Sequence, residues 1–324
     1  MAQFPLSLST YHHGTAYTLT QHPVVVHWDL DVAVLQPMDD LYDAMIFDKD
    51  SPRGKAARER IAVQHKSKPL PDVIDAFVTR DVTSAQPTEK VQAVQGGFVV
   101  ARPNPEHLEM YKEFILKADY KAGRGEGSGW SGLGYGGFQG AMAYQGVIAF
   151  FYDIVYPGHH VELDVCRWNQ VVADVIWRGP HRSELNGTCR DYPLDGDFEN
   201  NTPENGKCED CRILPIEETM TVHYTACKKP WECAIPYPRK PRDKRQEYRL
   251  QHLTNITTCG LLFEKYFDYR RHIEDQINAV TGTEVSTRDG TFFPEYFKGY
   301  CVPRKGYLPM AIPDEFDMKS VYGF

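Results

Sequence analysis

VVVHWDLDVAVLQPMDDLY, from Val24 to Tyr42, sets Asp29 and Asp31 one residue apart directly after a run of β-branched apolar residues. Val24, Val25 and Val26 have the composition of a strand buried on both faces, as in a parallel sheet. Side chains alternate along a strand, so Asp29 and Asp31 should point the same way. Two carboxylates held that close repel, and burying them unpaired either costs several kcal/mol or keeps one protonated. A hard divalent cation relieves the conflict, because oxygen ligands suit magnesium and manganese. Open α/β sheets also place ligands at the carboxyl ends of their strands, where this pair would sit. The competing reading ends the strand at Trp28 and leaves both aspartates as solvated turn residues. D-x-D is short and common, so the choice depends on what else the chain brings to the pair.

The 324 residues are 42% hydrophobic and 12% aromatic, enough for a sizeable core in one large domain or two. A net charge of -8 and a pI near 5.8 argue against a general nucleic-acid binder. No apolar run approaches the roughly 20 residues of a bilayer span. The longest, Ala141 to Tyr156, is interrupted by Gln145, Gly146 and Asp153. The opening MAQFPLSLSTYHH has no basic segment followed by an apolar one, so it does not read as a signal peptide.

The eight cysteines, at 166, 189, 208, 211, 227, 233, 259 and 301, all fall in the second half. Their even number and clustering fit a disulfide framework in an oxidising compartment. The rival is a zinc site at Cys208 and Cys211, whose C-x-x-C spacing supplies half of one. Sequons at Asn186, Asn200 and Asn255 lean towards a lumenal protein. A lumenal protein with no visible signal leads us to expect that the natural N-terminus lies upstream.

Along the chain, MDDLYDAMI reads as a helix, and the charged, Pro-flanked residues 48–70 as a surface excursion. QAVQGGFVVARPNPEHLEMYKEFILKADY reads as strand, turn and helix, with Asn104 as N-cap, Pro105 at N1 and Leu108, Tyr111 and Ile115 in one apolar stripe. Residues 121–141 carry nine glycines in 21 positions without the G-K-[ST] ending of a P-loop. That density reads as a mobile loop with exposed N–H groups, suited to a lid or a phosphate contact. LLFEKYFDYRRHIEDQINAV, from Leu261 to Val280, reads as a helix with Leu262, Tyr266, Ile273 and Ile277 on one face. PRKPRDKRQEYR reads as a solvated basic surface.

TMTVHYTACKKPWEC, from Thr219 to Cys233, supplies what the aspartates lack. It reads as a short strand ending in His223, followed by Lys229 and a Pro-Trp. A histidine at a strand end is more often structural. Here it would bring a nitrogen ligand to a manganese-sized ion, and Lys229 could meet a diphosphate on that ion.

Four segments, in order over residues 15 to 231, resemble glycosyltransferase family 8, the glycogenin-like nucleotide-sugar transferases. They are VVVHWDLDVAVLQPMDDLY with its D-x-D pair, VQGGFVVARPN with Gln95 where the family carries asparagine, AYQGVIAFFYD around Gln145, and VHYTACKKPW with the family's His-to-Lys-to-Trp spacing. Tyr144 stands where the family has an acidic residue, and Ala226 where it has glycine. The resemblance implies an α/β GT-A fold, a Rossmann-like mixed sheet flanked by helices, that binds a UDP-sugar with Mn2+ or Mg2+ and transfers the sugar with retention. It implies Asp29, Asp31 and His223 as metal ligands, Lys229 on the donor diphosphate, and Gln95 and Gln145 beside the donor sugar.

On this basis residues 1–235 form the GT-A-like domain, including the glycine-rich loop 121–141 and a cysteine-containing insert at 180–215. Residues 236–324 form a C-terminal helical and loop extension, within a second half of the chain that is rich in cysteine. Family members carry a strand–helix–strand unit for the nucleoside ahead of the D-x-D strand. The roughly 23 residues here are too few for one, so the domain reads as N-terminally truncated. The expected acceptor is a glycan, a glycolipid or a protein, and the expected location is the Golgi lumen, with a homodimer allowed. The alternatives are a degenerate GT-A-fold binding protein and a secreted zinc-binding module.

Overall fold

The computed structural model describes residues 16–64, 69–80, 93–138, 140–170 and 214–224, together with helical positions scattered through 262–280. The chain divides into two compact units, Met1–Gln170 with Asn186–His223, and Val171–Leu185 with Tyr224–Phe324.

The first unit is built on a mixed four-stranded sheet flanked by helices. Its strands are β1 (Val25–Trp28), β3 (Ala76–Arg80), β4 (Val94–Ala101) and β7 (His160–Glu162), in the order β1-β4-β3-β7. β4 runs antiparallel to both β1 and β3, whereas β3 and β7 are parallel. A second pair, β2 (Val32–Val34) with β8 (Thr221–His223), is antiparallel.

Alternation along the strands sorts the core into two layers. Ala76, Val78, Val99 and Ala101 face α3 (Pro105–Lys117) and α4 (Tyr144–Phe150), with Tyr111, Phe114, Val147 and Ile148 in that layer. Phe77, Phe98 and Val100 face α1 (Asp39–Ile46) and α2 (Pro52–Gln64), packing with Leu41, Met45, Ala57 and Ile61. α4 continues into a π-helical turn at Phe151–Val155.

The start of α3 follows from its sequence. Asn104 Oδ1 accepts the Glu106 N–H at 2.9 Å, Pro105 fills the first turn, and the helix ends where Ala118 takes φ 50°. The helix at MDDLYDAMI is present as α1.

Four expectations are corrected. β1 is half-buried and antiparallel to its neighbour, not a strand buried on both faces in a parallel run. The place buried on both faces belongs to β4, every residue of which is buried. Residues 48–70 are not a mere surface excursion, because they contain α2. Ser51 Oγ accepts the Gly54 N–H at 3.1 Å to cap it, and Ala57 and Ile61, one turn apart, reach the core.

The glycine-rich loop is folded and packed from Ser128 on, whereas residues 121–127 are largely exposed, as expected. Tyr120–Lys121 (β5) pairs with Gly129–Trp130 (β6), Trp130, Tyr135 and Phe138 are buried, and the Trp130 indole donates to the Ala141 carbonyl at 2.9 Å. Gly129 has φ 72° and lies so close to Tyr135 that a Cβ would overlap its backbone. In the second unit, the described positions of 262–280 are helical. Leu262 is fully buried and its carbonyl accepts the Tyr224 hydroxyl at 2.6 Å, Tyr266 is half-buried and Ile273 is exposed. The expected apolar stripe is therefore buried at Leu262 and lost by Ile273, while Ile277 lies outside the described residues.

Candidate metal centre

Strand β1 ends at Trp28, and the chain turns at once. The Val32 N–H donates to the Asp29 carbonyl at 3.1 Å, with Leu30 fully exposed at the tip. Asp29 and Asp31 therefore occupy a turn, as the competing reading had it, yet that turn brings both carboxylates to the same side. The Asp29 N–H donates to the Gly97 carbonyl at 2.9 Å, which ties the turn to β4.

β8 delivers the third member. Its register sets His223 opposite Val32, the residue after Asp31. His223 Nε2 lies 3.3 Å from Asp31 Oδ1 and 3.6 Å from Asp29 Oδ2, with the imidazole only 1% exposed. One ligand atom from each of the three residues falls within 4.8 Å of the others.

Two carboxylates and a ring nitrogen converging on one point offer a set of lone pairs that a cation would satisfy together. The donor set suits manganese or magnesium. Around an octahedral ion about 2.1 Å from its ligands, neighbouring ligand atoms sit about 3 Å apart. The two separations from His223 Nε2 to the carboxylates are slightly wider than that, all three ligand atoms lie within 4.8 Å of one another, and the residues fit the group.

Gly97 on β4 makes the space. A Cβ at Gly97 would overlap the His223 ring and sit 2.8 Å from Asp29 Oδ2. Neighbouring Gly96 donates its N–H to Gln145 Oε1 at 3.3 Å and packs against Tyr144. Gln95 is buried, and its Oε1 accepts the Gly97 N–H at 2.5 Å. Gln95 thus meets Gly97, which borders the cluster, and Gln145 meets its neighbour Gly96. Burial, with Tyr17 and Asp29 nearby, holds the Tyr144 phenol protonated well above its usual range.

Residues that no motif singled out stand behind His223. Asn169 Oδ1 lies 3.2 Å from His223 Nδ1, and the Asn169 side-chain amide donates to Thr79 Oγ1 at 2.8 Å. The signal for Asn169 is tertiary, since Arg-Trp-Asn-Gln carries no chemistry of its own. Lys229, expected on the diphosphate, lies outside the described residues, as do Ala226, Trp231, the three sequon asparagines and every cysteine except Cys166. Cys166 is buried and disulfide-bonded.

Among the described residues, no helix is long and apolar enough to cross a membrane. No family model, curated protein or solved structure matches the chain.

Proposed function

We propose that this chain is a metal-dependent retaining glycosyltransferase of the family 8 type, moving a hexosyl group from a UDP-sugar to a glycan, glycolipid or protein acceptor in the secretory pathway. The observation that carries the reading is the convergence of Asp29, Asp31 and His223 at the end of β1, from two sequence motifs brought together only by the fold.

In this reading Asp29, Asp31 and His223 hold Mn2+ or Mg2+. The bound ion would supply Lewis-acid stabilisation of charge developing on the departing diphosphate. Gly97 keeps the approach to the cluster clear, because any side chain there would fill it. Gln145, fastened to the Gly96 amide, and Gln95, beneath Gly97, belong beside the donor sugar. Lys229 would add a positive charge for the diphosphate. With Asp29 and Asp31 engaged as ligands, retention rests on leaving-group activation and on holding donor and acceptor in place.

Calorimetric titration of the chain with UDP, with and without Mn2+ and beside Asp31→Ala, tests this. Binding that requires both Mn2+ and Asp31 supports a nucleotide-sugar site and calls for a screen of UDP-sugars by release of UDP. Binding indifferent to both refutes the site.

A further inference from the structure

Asn169 is fully buried, not glycine, and holds φ 55°, in the left-handed region that few side chains enter without cost. Asparagine tolerates that region better than most, but glycine would serve a bare turn with less strain. Strain retained at a buried position next to a candidate site points to a use for the side chain.

The surroundings of Asn169 fix that side chain from three directions. Its backbone N–H donates to Thr221 Oγ1 at 2.6 Å, tying it to β8 two residues before His223. The next residue extends the tie: the Gln170 N–H donates to the Thr221 carbonyl at 2.9 Å, and the His223 N–H to the Gln170 carbonyl at 3.1 Å. Its side-chain amide donates to Thr79 Oγ1 on β3 at 2.8 Å. With the amide nitrogen committed to Thr79, the oxygen faces His223 Nδ1 at 3.2 Å.

We propose that Asn169, held by Thr79, is the positioning residue that keeps a hydrogen on His223 Nδ1 and turns Nε2 towards the point it shares with Asp29 and Asp31, readying the cluster for a divalent cation. A neutral imidazole has one donor and one acceptor nitrogen, and a partner on one nitrogen decides the role of the other. Asn169 Oδ1 accepts, so Nδ1 keeps its hydrogen and Nε2 remains the ligand. Metal-binding histidines are oriented in this way by outer-shell acceptors, whose loss costs roughly ten- to a hundredfold in metal affinity. The inference rests on the reading of Asp29, Asp31 and His223 as a cation site, and it adds residues that no motif assigned.

The test is Mn2+ affinity of the full chain, read by the EPR signal of free Mn2+, in wild type, His223→Ala, Asn169→Gly, Asn169→Asp and Thr79→Val. Asn169→Gly keeps the left-handed backbone but removes the acceptor, and about a ten- to a hundredfold loss is expected. Asn169→Asp restores an oxygen at the same place and should return affinity to within about threefold of wild type, a rescue that a purely structural role would not give. Thr79→Val, which leaves Asn169 intact, should lower affinity by a smaller factor.

Equal affinity in wild type and His223→Ala overturns the cation site itself, and the proposal with it. A His223-dependent affinity that Asn169→Gly leaves unchanged overturns the role of Asn169 alone. Should Asn169→Gly fail to fold, the long-range 1H–15N spectrum of wild type saturated with Mg2+ decides, assigned with His223→Ala. A proton on Nδ1 supports the proposal, and a proton on Nε2 overturns it.

Discussion

Val32 stands directly opposite His223 in the antiparallel pairing of β2 with β8, and this one register places the imidazole beside the turn that carries Asp29 and Asp31. A slip by a single residue would turn His223 to the other face and dissolve the cluster. The three groups are therefore coupled through backbone pairing as well as through charge.

Asp31 is the less exposed of the two carboxylates and the nearer to Nε2. Asp31→Ala should weaken Mn2+ affinity by about a hundredfold or more, since even outer-shell losses cost ten- to a hundredfold. Its thermal midpoint in EDTA should hold or rise, because the repulsion from Asp29 disappears. Calorimetry with Mn2+ and a melting curve check both halves, and unchanged affinity would falsify the ligand assignment.

Gly97→Ala is a steric probe of the same cluster. The added methyl would overlap the buried His223 ring, and forcing a group into a packed interior costs about 1–3 kcal/mol. We expect lower stability together with lost Mn2+ affinity. A variant that melts early yet binds Mn2+ like wild type would show that His223 is not needed in its present position.

Arg80 on β3 joins Asp153 on the π-turn at 2.7 Å and Glu162 on β7 at 3.0 Å, and Tyr135 of the glycine-rich loop donates to Asp153 at 3.1 Å. Burial alone would raise the Asp153 pKa, but Arg80, with His160 and the Tyr135 hydroxyl, outweighs it and holds the carboxyl below its usual range. Asp153 therefore stabilises the fold above its unfolded-state pKa of about 3.9, and that contribution fades as pH falls through the lower folded-state value. Asp153→Asn should cost about 3–5 kcal/mol at neutral pH, as expected when one partner of a buried pair is removed. Urea unfolding across the acid range should show the gap to wild type closing below about pH 4, and a constant gap would contradict the pairing.

Cys166 packs against Leu214, and its N–H donates to Asp164 Oδ1 at 2.9 Å. Loss of its disulfide, by Cys166→Ser or by reductant, should cost about 2–5 kcal/mol. Peptide mapping without reduction would identify the partner cysteine. Eight titratable thiols in the unreduced, unfolded chain would rule the bond out.

Much of this was legible in local chemistry. The Asn104 cap with Pro105, the apolar spacing of α3, the end of β1 at Trp28 and the short strand before His223 are all written in neighbouring residues. Strand direction was not, because a valine run reads the same beside a parallel or an antiparallel neighbour. α2 escaped notice because its buried face rests on little more than Ala57 and Ile61 among charges. The glycine-rich loop misled in the other direction, since its order comes from Trp130, Tyr135 and Phe138 reaching a core assembled elsewhere. The candidate ligands could be named from motifs, but Asn169 could not, since its role exists only once β3 and β8 have closed around it.

Gly97, which borders the cluster, lies on β4, whose residues are all buried and which pairs on both sides. Segments of that kind open only when the whole domain does. The wall that Gly97 forms for the cluster therefore does not flicker with loop motion, whereas Asp29 and Asp31 sit on the turn beside it. Damage to that wall registers as lost folding as readily as lost binding, so at Gly97 chemistry and survival of the domain are inherited together, while an exposed position such as Met142 can vary with little effect on either.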